Sequence, residues 1–142
     1  MSRYLLDTGV LNAFLRGRPG AVTRIDTWVA AGDALTSVLV YGEIVEFLQG
    51  LPPSDFARRE AELRELRELL RDIHPLPISY PILRRYATLR RSMRPTTGLI
   101  GDLDTLIAAT ALERDLTVVT IDSHFARVPA LALMLLPRVA IL

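Results

Sequence analysis

The feature that most constrains this chain is a set of short apolar runs, each ending in a turn and separated from the next by a segment of helical periodicity. Tyr4-Leu5-Leu6 ends in Asp7-Thr8-Gly9, Ala34-Leu35-Thr36 follows a helical stretch, and Leu116 to Ile121 is a β-branched run closed by Asp122-Ser123. Strands joined through helices need crossover connections, so they pair in parallel, with helices covering both faces of the sheet. The expected fold is α/β, a three-layer α/β/α domain around a central, mainly parallel sheet.

The intervening segments fit that scheme. Val10 to Leu15 spaces its apolar residues as a helix does, and Val22, Ile25, Trp28 and Val29 recur at three- and four-residue steps until Gly32. Ser37, an N-cap, and Gly50, a stop, bound a mostly buried helix with Glu43 and Glu46 on one side. Asp55 to Asp72 mixes arginines and acids around Phe56, Leu63, Leu66, Leu69 and Leu70, the pattern of an amphipathic helix laced with ion pairs. His74-Pro75-Leu76-Pro77-Ile78 suits an edge strand, where proline is tolerated. A helix from about Pro81 to Met93, a loop at Pro95-Thr96-Thr97-Gly98, and a helix N-capped by Asp102 follow. Leu131 to Leu136 reads as a buried strand. A length of 142 residues without linker or repeat predicts a single domain over residues 1–142.

Composition narrows the chemistry. The chain has no cysteine and two histidines, His74 and His124, so any bound metal is held mainly through carboxylate oxygen, which favours magnesium or manganese. Asp7 comes too early for a signal peptide and no apolar run could span a bilayer, so a cytoplasmic protein without a membrane role is expected. The formal charge of +1 is no global signature of nucleic-acid binding. Its distribution is more informative: Arg84, Arg85, Arg90, Arg91 and Arg94 cluster without an intervening acid, and guanidinium forks match phosphate geometry. The same cluster also reads as a solvated helix face.

Ligands in open parallel sheets bind beyond the carboxyl ends of the strands, near the point where strand order reverses. Asp7 and Asp122 each follow a strand, and Asp104 stands in the first turn of a helix that leads to one. Taken singly, Asp7 is equally an N-cap, Asp122 a turn residue, and Glu43 part of a polar stripe with Gly42, Glu46 and Gln49. Taken together, converging carboxylates repel one another unless a cation neutralises them, and a divalent ion also activates water.

Leu5-Leu6-Asp7-Thr8, the acid in the helix after strand two, Gly101-Asp102-Leu103-Asp104-Thr105-Leu106-Ile107-Ala108-Ala109-Thr110-Ala111-Leu112, and Thr117-Val118-Val119-Thr120-Ile121-Asp122 resemble the PIN-domain pattern. Domains of this size in that family are usually the VapC toxins of VapBC toxin-antitoxin pairs. The resemblance implies a magnesium- or manganese-dependent endoribonuclease with Asp7, Glu43, Asp104 and Asp122 as its acidic quartet. Of these, Asp7, Asp104 and Asp122 would bind the metal, with Thr8 in support and Asp102 as a cap or auxiliary acid. It also implies a VapB-like antitoxin, an RNA substrate and a homodimer. An apolar groove between the Glu43 helix and the Asp55 to Asp72 helix is the expected seat of the antitoxin segment. The chain departs from the pattern at Gly9, where asparagine or serine is common, and Glu46 is the rival to Glu43.

The expected chemistry is in-line attack of water on an RNA phosphodiester, with the arginines from Arg84 to Arg94 holding flanking backbone. Two other readings compete with it. A haloacid-dehalogenase-like phosphatase also begins with a strand ending in aspartate, but it normally carries a second acid where this chain has Gly9. A PIN-like module could instead hold RNA or a protein without cutting it.

Overall fold

Five parallel strands in the order β3-β2-β1-β4-β5 form the sheet of the computed structural model, which describes residues 2–94 and 98–142. The strands are β1 (Tyr4–Leu6), β2 (Ala34–Ser37), β3 (His74–Leu76), β4 (Thr117–Thr120) and β5 (Leu133–Leu135). The helices are α1 (Thr8–Leu15), α2 (Pro19–Ala31), α3 (Val38–Gln49), α4 (Phe56–Leu69), α5 (Tyr80–Met93) and α6 (Asp102–Arg114). Short 3-10 turns occupy Pro53–Asp55, Ser123–Arg127 and Arg138–Ile141.

The chain steps outward from β1 through α1 and α2 to β2, then through α3 and α4 to β3. It next returns through α5 and α6 to β4 on the other side of β1. The strand order therefore reverses between β1 and β4. Right-handed crossovers running in opposite directions put α1 to α4 on one face and α5 with α6 on the other. The observed packing agrees: α1 contacts α2, α3 and α4, while α5 packs along α6.

Burial shows that both faces of the sheet are covered. Leu5 and Leu6 are both buried, as are Val118 and Val119, although neighbours along a strand point to opposite faces. On α6, Ala108, Ala109, Thr110 and Ala111 are buried, and these small side chains let the helix lie close against the sheet. Tyr4 stacks on Trp28 of α2 with ring centroids 3.9 Å apart. Gly32 ends α2 in the left-handed conformation at φ 76°, and the Ser37 hydroxyl accepts from Leu39 N–H at 3.1 Å to start α3.

Three sequence expectations need correction. Leu131 to Leu136 is not a buried strand: only Leu133–Leu135 pairs, it forms a sheet edge with one neighbour, and Leu135 is 45% exposed. Asp102 is not an N-cap but the first residue of α6, and Gly101 occupies the cap position. The groove beside the Glu43 helix takes no lining residue from α4; Leu103 of α6 and Thr8 close it instead. Of the loop expected at Pro95-Thr96-Thr97-Gly98, the first three residues lie outside the described residues, and Gly98 has φ 80°. The edge position of β3 is as expected.

Gly20 sits in the first turn of α2, where its N–H donates to Leu142 O at 2.8 Å. A Cβ there would lie 2.5 Å from Ala140 O and 2.8 Å from Leu142 O, both backbone atoms. Gly20→Ala should therefore destabilise the fold by about 1–3 kcal/mol, although alanine is the better helix former. Urea unfolding checks this, and a neutral or stabilising effect would refute the close approach.

Candidate active site

The reversal of strand order between β1 and β4 leaves a cleft at the carboxyl edge of the sheet. It has a volume of about 500 Å³ and is lined by Asp7, Glu43, Asp104 and Asp122, each supplied by a different element. Asp7 follows β1, Glu43 stands on α3, Asp104 in the first turn of α6, and Asp122 just beyond β4.

Two threonines set the carboxylates. Thr120, wholly buried at the end of β4, donates to Asp7 Oδ2 at 2.6 Å and accepts the Asp122 N–H at 3.0 Å. Thr8 donates to Glu43 Oε1 at 2.8 Å, joining the start of α1 to the middle of α3. Asp122 Oδ1 in turn accepts the His124 N–H at 2.9 Å, with His124 Nδ1 at 3.3 Å. One oxygen of each of these three acids is thus held by a named partner.

The electrostatics show the cost of gathering acids. Burial pushes the Asp7 carboxyl above its ordinary range, and the charges of Glu43 and Asp122 add to this, while hydrogen bonds from Thr120 and Thr8 oppose it. Asp104 is pushed up to about 6, first by burial and then by the charges of Asp7, Asp122 and Glu43; His124 partly offsets the rise.

The donor set consists of hard carboxylate oxygens, which suits magnesium or manganese. Among the described residues, no three His, Cys, Asp or Glu side chains are drawn into a ready-made chelate. Carboxylates spread around one cleft fit an ion that keeps several waters and takes few protein ligands directly.

The structure separates residues that the sequence left as rivals. Glu43 lines the acidic cleft, whereas Glu46 lines only the neighbouring apolar groove. Asp104 lines the cleft, whereas Asp102 turns towards α5, where it meets Arg90 Nη1 at 2.6 Å and accepts from Tyr86 at 3.2 Å. None of Arg84, Arg85, Arg90, Arg91 and Arg94 lines the cleft. Arg90 is paired with Asp102, and Arg85 with Glu113 at 3.1 Å. Gly9 lines it too, and a Cβ there would come within 3.3 Å of the Ile121 side chain.

Sequence reasoning did not single out Thr120, His124 or Arg138. Thr120 lay within the Thr-x-Asp run, and His124 two residues after Asp122. Arg138 carried no local signal.

The PIN domain pattern matches residues 4–131 of the chain. No curated protein sequence gives a match. Among solved structures, VapBC2 from Rickettsia felis, bound to a DNA fragment from its promoter, superposes with a TM-score of 0.81 at 20% identity. The match covers 94% of this chain and 98% of that one. FitAcB from Neisseria gonorrhoeae gives 0.80 at 26% identity, covering 92% and 96%. VapBC-1 from nontypeable Haemophilus influenzae gives 0.77 at 22%, covering 93% and 96%.

Two outcomes follow from this geometry. Asp104 holds its proton up to about pH 6 when folded, against 3.8 as its ordinary value, so it favours the fold below about pH 4 and loses that contribution as pH rises through 6. In chelator, the wild type should gain stability on going from pH 7 to pH 5. Asp104→Asn should flatten that gradient and add about 1 kcal/mol at pH 7, a value discounted for partial exposure. Thermal melts across pH measure both effects; an unchanged gradient in the variant would remove Asp104 as its source. Thr120→Val leaves Asp7 Oδ2 and the Asp122 N–H without their partner, and should cost about 1–3 kcal/mol in urea unfolding. A loss near zero would show that the tie carries no energy.

Proposed function

The chain belongs to the PIN domain family, and from that premise we propose that it is a metal-dependent endoribonuclease acting as the toxin of a type II toxin-antitoxin pair. PIN domains are generally nucleases, which supports a hydrolase role. The observation that carries the reading is the cleft itself, in which four carboxylates from four separate elements line one space at the strand ends. A scaffold would gain nothing from raising the pKa of Asp7 and Asp104 by burial and mutual repulsion.

Asp7, Asp104 and Asp122 would hold a magnesium or manganese ion through oxygen. When bound, such an ion lowers the pKa of water and offsets charge on the phosphate. Thr120 fixes the rotamer of Asp7 and, through the Asp122 amide, the backbone that presents Asp122. Glu43, held at Oε1 by Thr8, keeps Oε2 to accept a proton from water attacking in line with the leaving oxygen. Asp102, which does not line the cleft, would support the site only by anchoring the first turn of α6 to Arg90. Arg84 and Arg91 of α5 and Arg94 just beyond it, which form no ion pair among the described residues, are left to meet RNA backbone; Arg85 and Arg90 would first have to leave Glu113 and Asp102.

The partner assignment draws on the likeness to the VapBC structures named above. An apolar groove of about 570 Å³, lined by Val38, Leu39, Gly42, Glu46 and Leu103 and sharing Thr8 and Glu43 with the cleft, offers a seat for a VapB-like antitoxin segment. A homodimer in the cytoplasm completes the proposal. No helix among the described residues is long and apolar enough to cross a membrane.

Purified chain free of antitoxin should cut single-stranded regions of mixed cellular RNA with magnesium or manganese, and chelator should stop it. Asp7→Asn should lower cutting by at least about 100-fold while leaving the fold intact. Retained activity in Asp7→Asn would remove that residue from the mechanism. An absence of cutting by metal-loaded wild type would leave the RNA- or protein-binding module as the better reading.

A further inference from the structure

Parallel pairing brings the end of β5 to the same edge of the sheet as Asp7 and Asp122. Leu136 N–H donates to Thr120 O at 2.8 Å, so the exit of β5 is tied to the very residue that holds Asp7. Pro137 then turns the chain, and Arg138 opens the 3-10 turn Arg138–Ile141. That turn is anchored from behind: Ile141 is buried, Ala140 N–H donates to Pro137 O, and Leu142 O accepts the Gly20 N–H of α2. Arg138 is therefore delivered to the cleft by a fixed backbone.

Arg138 lines the cleft together with Asp7, Glu43, Asp104 and Asp122, yet among the described residues it forms no ion pair and no hydrogen bond with any of them. Other arginines near carboxylates behave differently, since Arg85 and Arg90 each close on a nearby acid. The second basic residue of the lining, His124, is already engaged with Asp122. An exposed arginine in the wall of a cleft lined by four acids, paired with none of them, keeps its charge for a group that enters the cleft. A phosphodiester approaching an acidic cleft is such a group, and a guanidinium fork matches two of its oxygens.

We propose that Arg138 is a substrate-binding residue of this cleft, holding a phosphate of the RNA strand across from the carboxylates. The proposal rests on the nuclease reading above, and its test separates the two. The full chain carrying Asp7→Asn, which blocks turnover, is titrated with a fluorescent single-stranded oligoribonucleotide at several salt concentrations, with and without Arg138→Gln. Loss of the contact should weaken binding about tenfold near physiological salt and reduce the slope of log affinity against log salt by about 0.7. Arg138→Lys should restore the slope but only part of the affinity, because it keeps the charge and loses the fork. Thermal unfolding should not move, since the side chain has no partner to lose. Unchanged affinity and slope in Arg138→Gln would overturn the proposal, as would absence of RNA binding by the Asp7→Asn chain. If RNA binding depends on Arg138 while metal-loaded wild type cuts nothing, the nuclease reading falls and the phosphate contact stands.

Discussion

The hydroxyl of Thr120 is the joint on which the cleft depends. It donates to Asp7 beyond β1 and accepts from the Asp122 amide beyond β4, so one buried side chain spans the two strands between which the order reverses. The backbone of the same residue takes the Leu136 N–H and thereby fixes β5 beside them. A parallel sheet brings strand ends to one edge but does not set their side chains. Here Thr120 sets the side chain of Asp7 and the backbone that carries Asp122, and Thr8 sets the side chain of Glu43 on α3.

Charge is distributed so that the acids do not all fall on one spot. Asp102 and Asp104 are two residues apart on α6, and the helix sends them to different faces. Asp102 is drawn off by Arg90 and Tyr86 of α5, which leaves Asp104 to the cleft and pins the first turn that carries it. The repulsion that remains is visible in the raised carboxyls of Asp7 and Asp104. Such a cleft destabilises the fold unless protons or a cation neutralise it, and tight packing of Leu5, Leu6, Val118 and Val119 beneath it supplies the compensating stability.

Much of this was legible in the sequence because it depends on short-range pattern. The apolar runs before Asp7 and Asp122 fix both the strands and the edge at which those acids emerge, and the α6 periodicity separates Asp102 from Asp104. Tertiary facts were not legible. Leu131 to Leu136 is apolar enough for a buried strand, and only the sheet order reveals it as an edge. The groove beside α3 required knowing that Leu103 reaches across to Val38 and Leu39. Density of charge proved a poor guide to the cleft. The five arginines from Arg84 to Arg94 stood out in the sequence, yet two of them are occupied by Asp102 and Glu113, while the isolated Arg138 comes to line the cleft because β5 pairs with β4.

Thr8 and Glu43 line both the acidic cleft and the apolar groove, so the two spaces are separated by one hydrogen-bonded pair. A peptide settling against Val38, Leu39 and Leu103 would therefore press on the bond that orients Glu43 without having to enter the cleft. Coupling of this kind needs no long pathway and no second conformation of the sheet, because the wall of one space is the wall of the other.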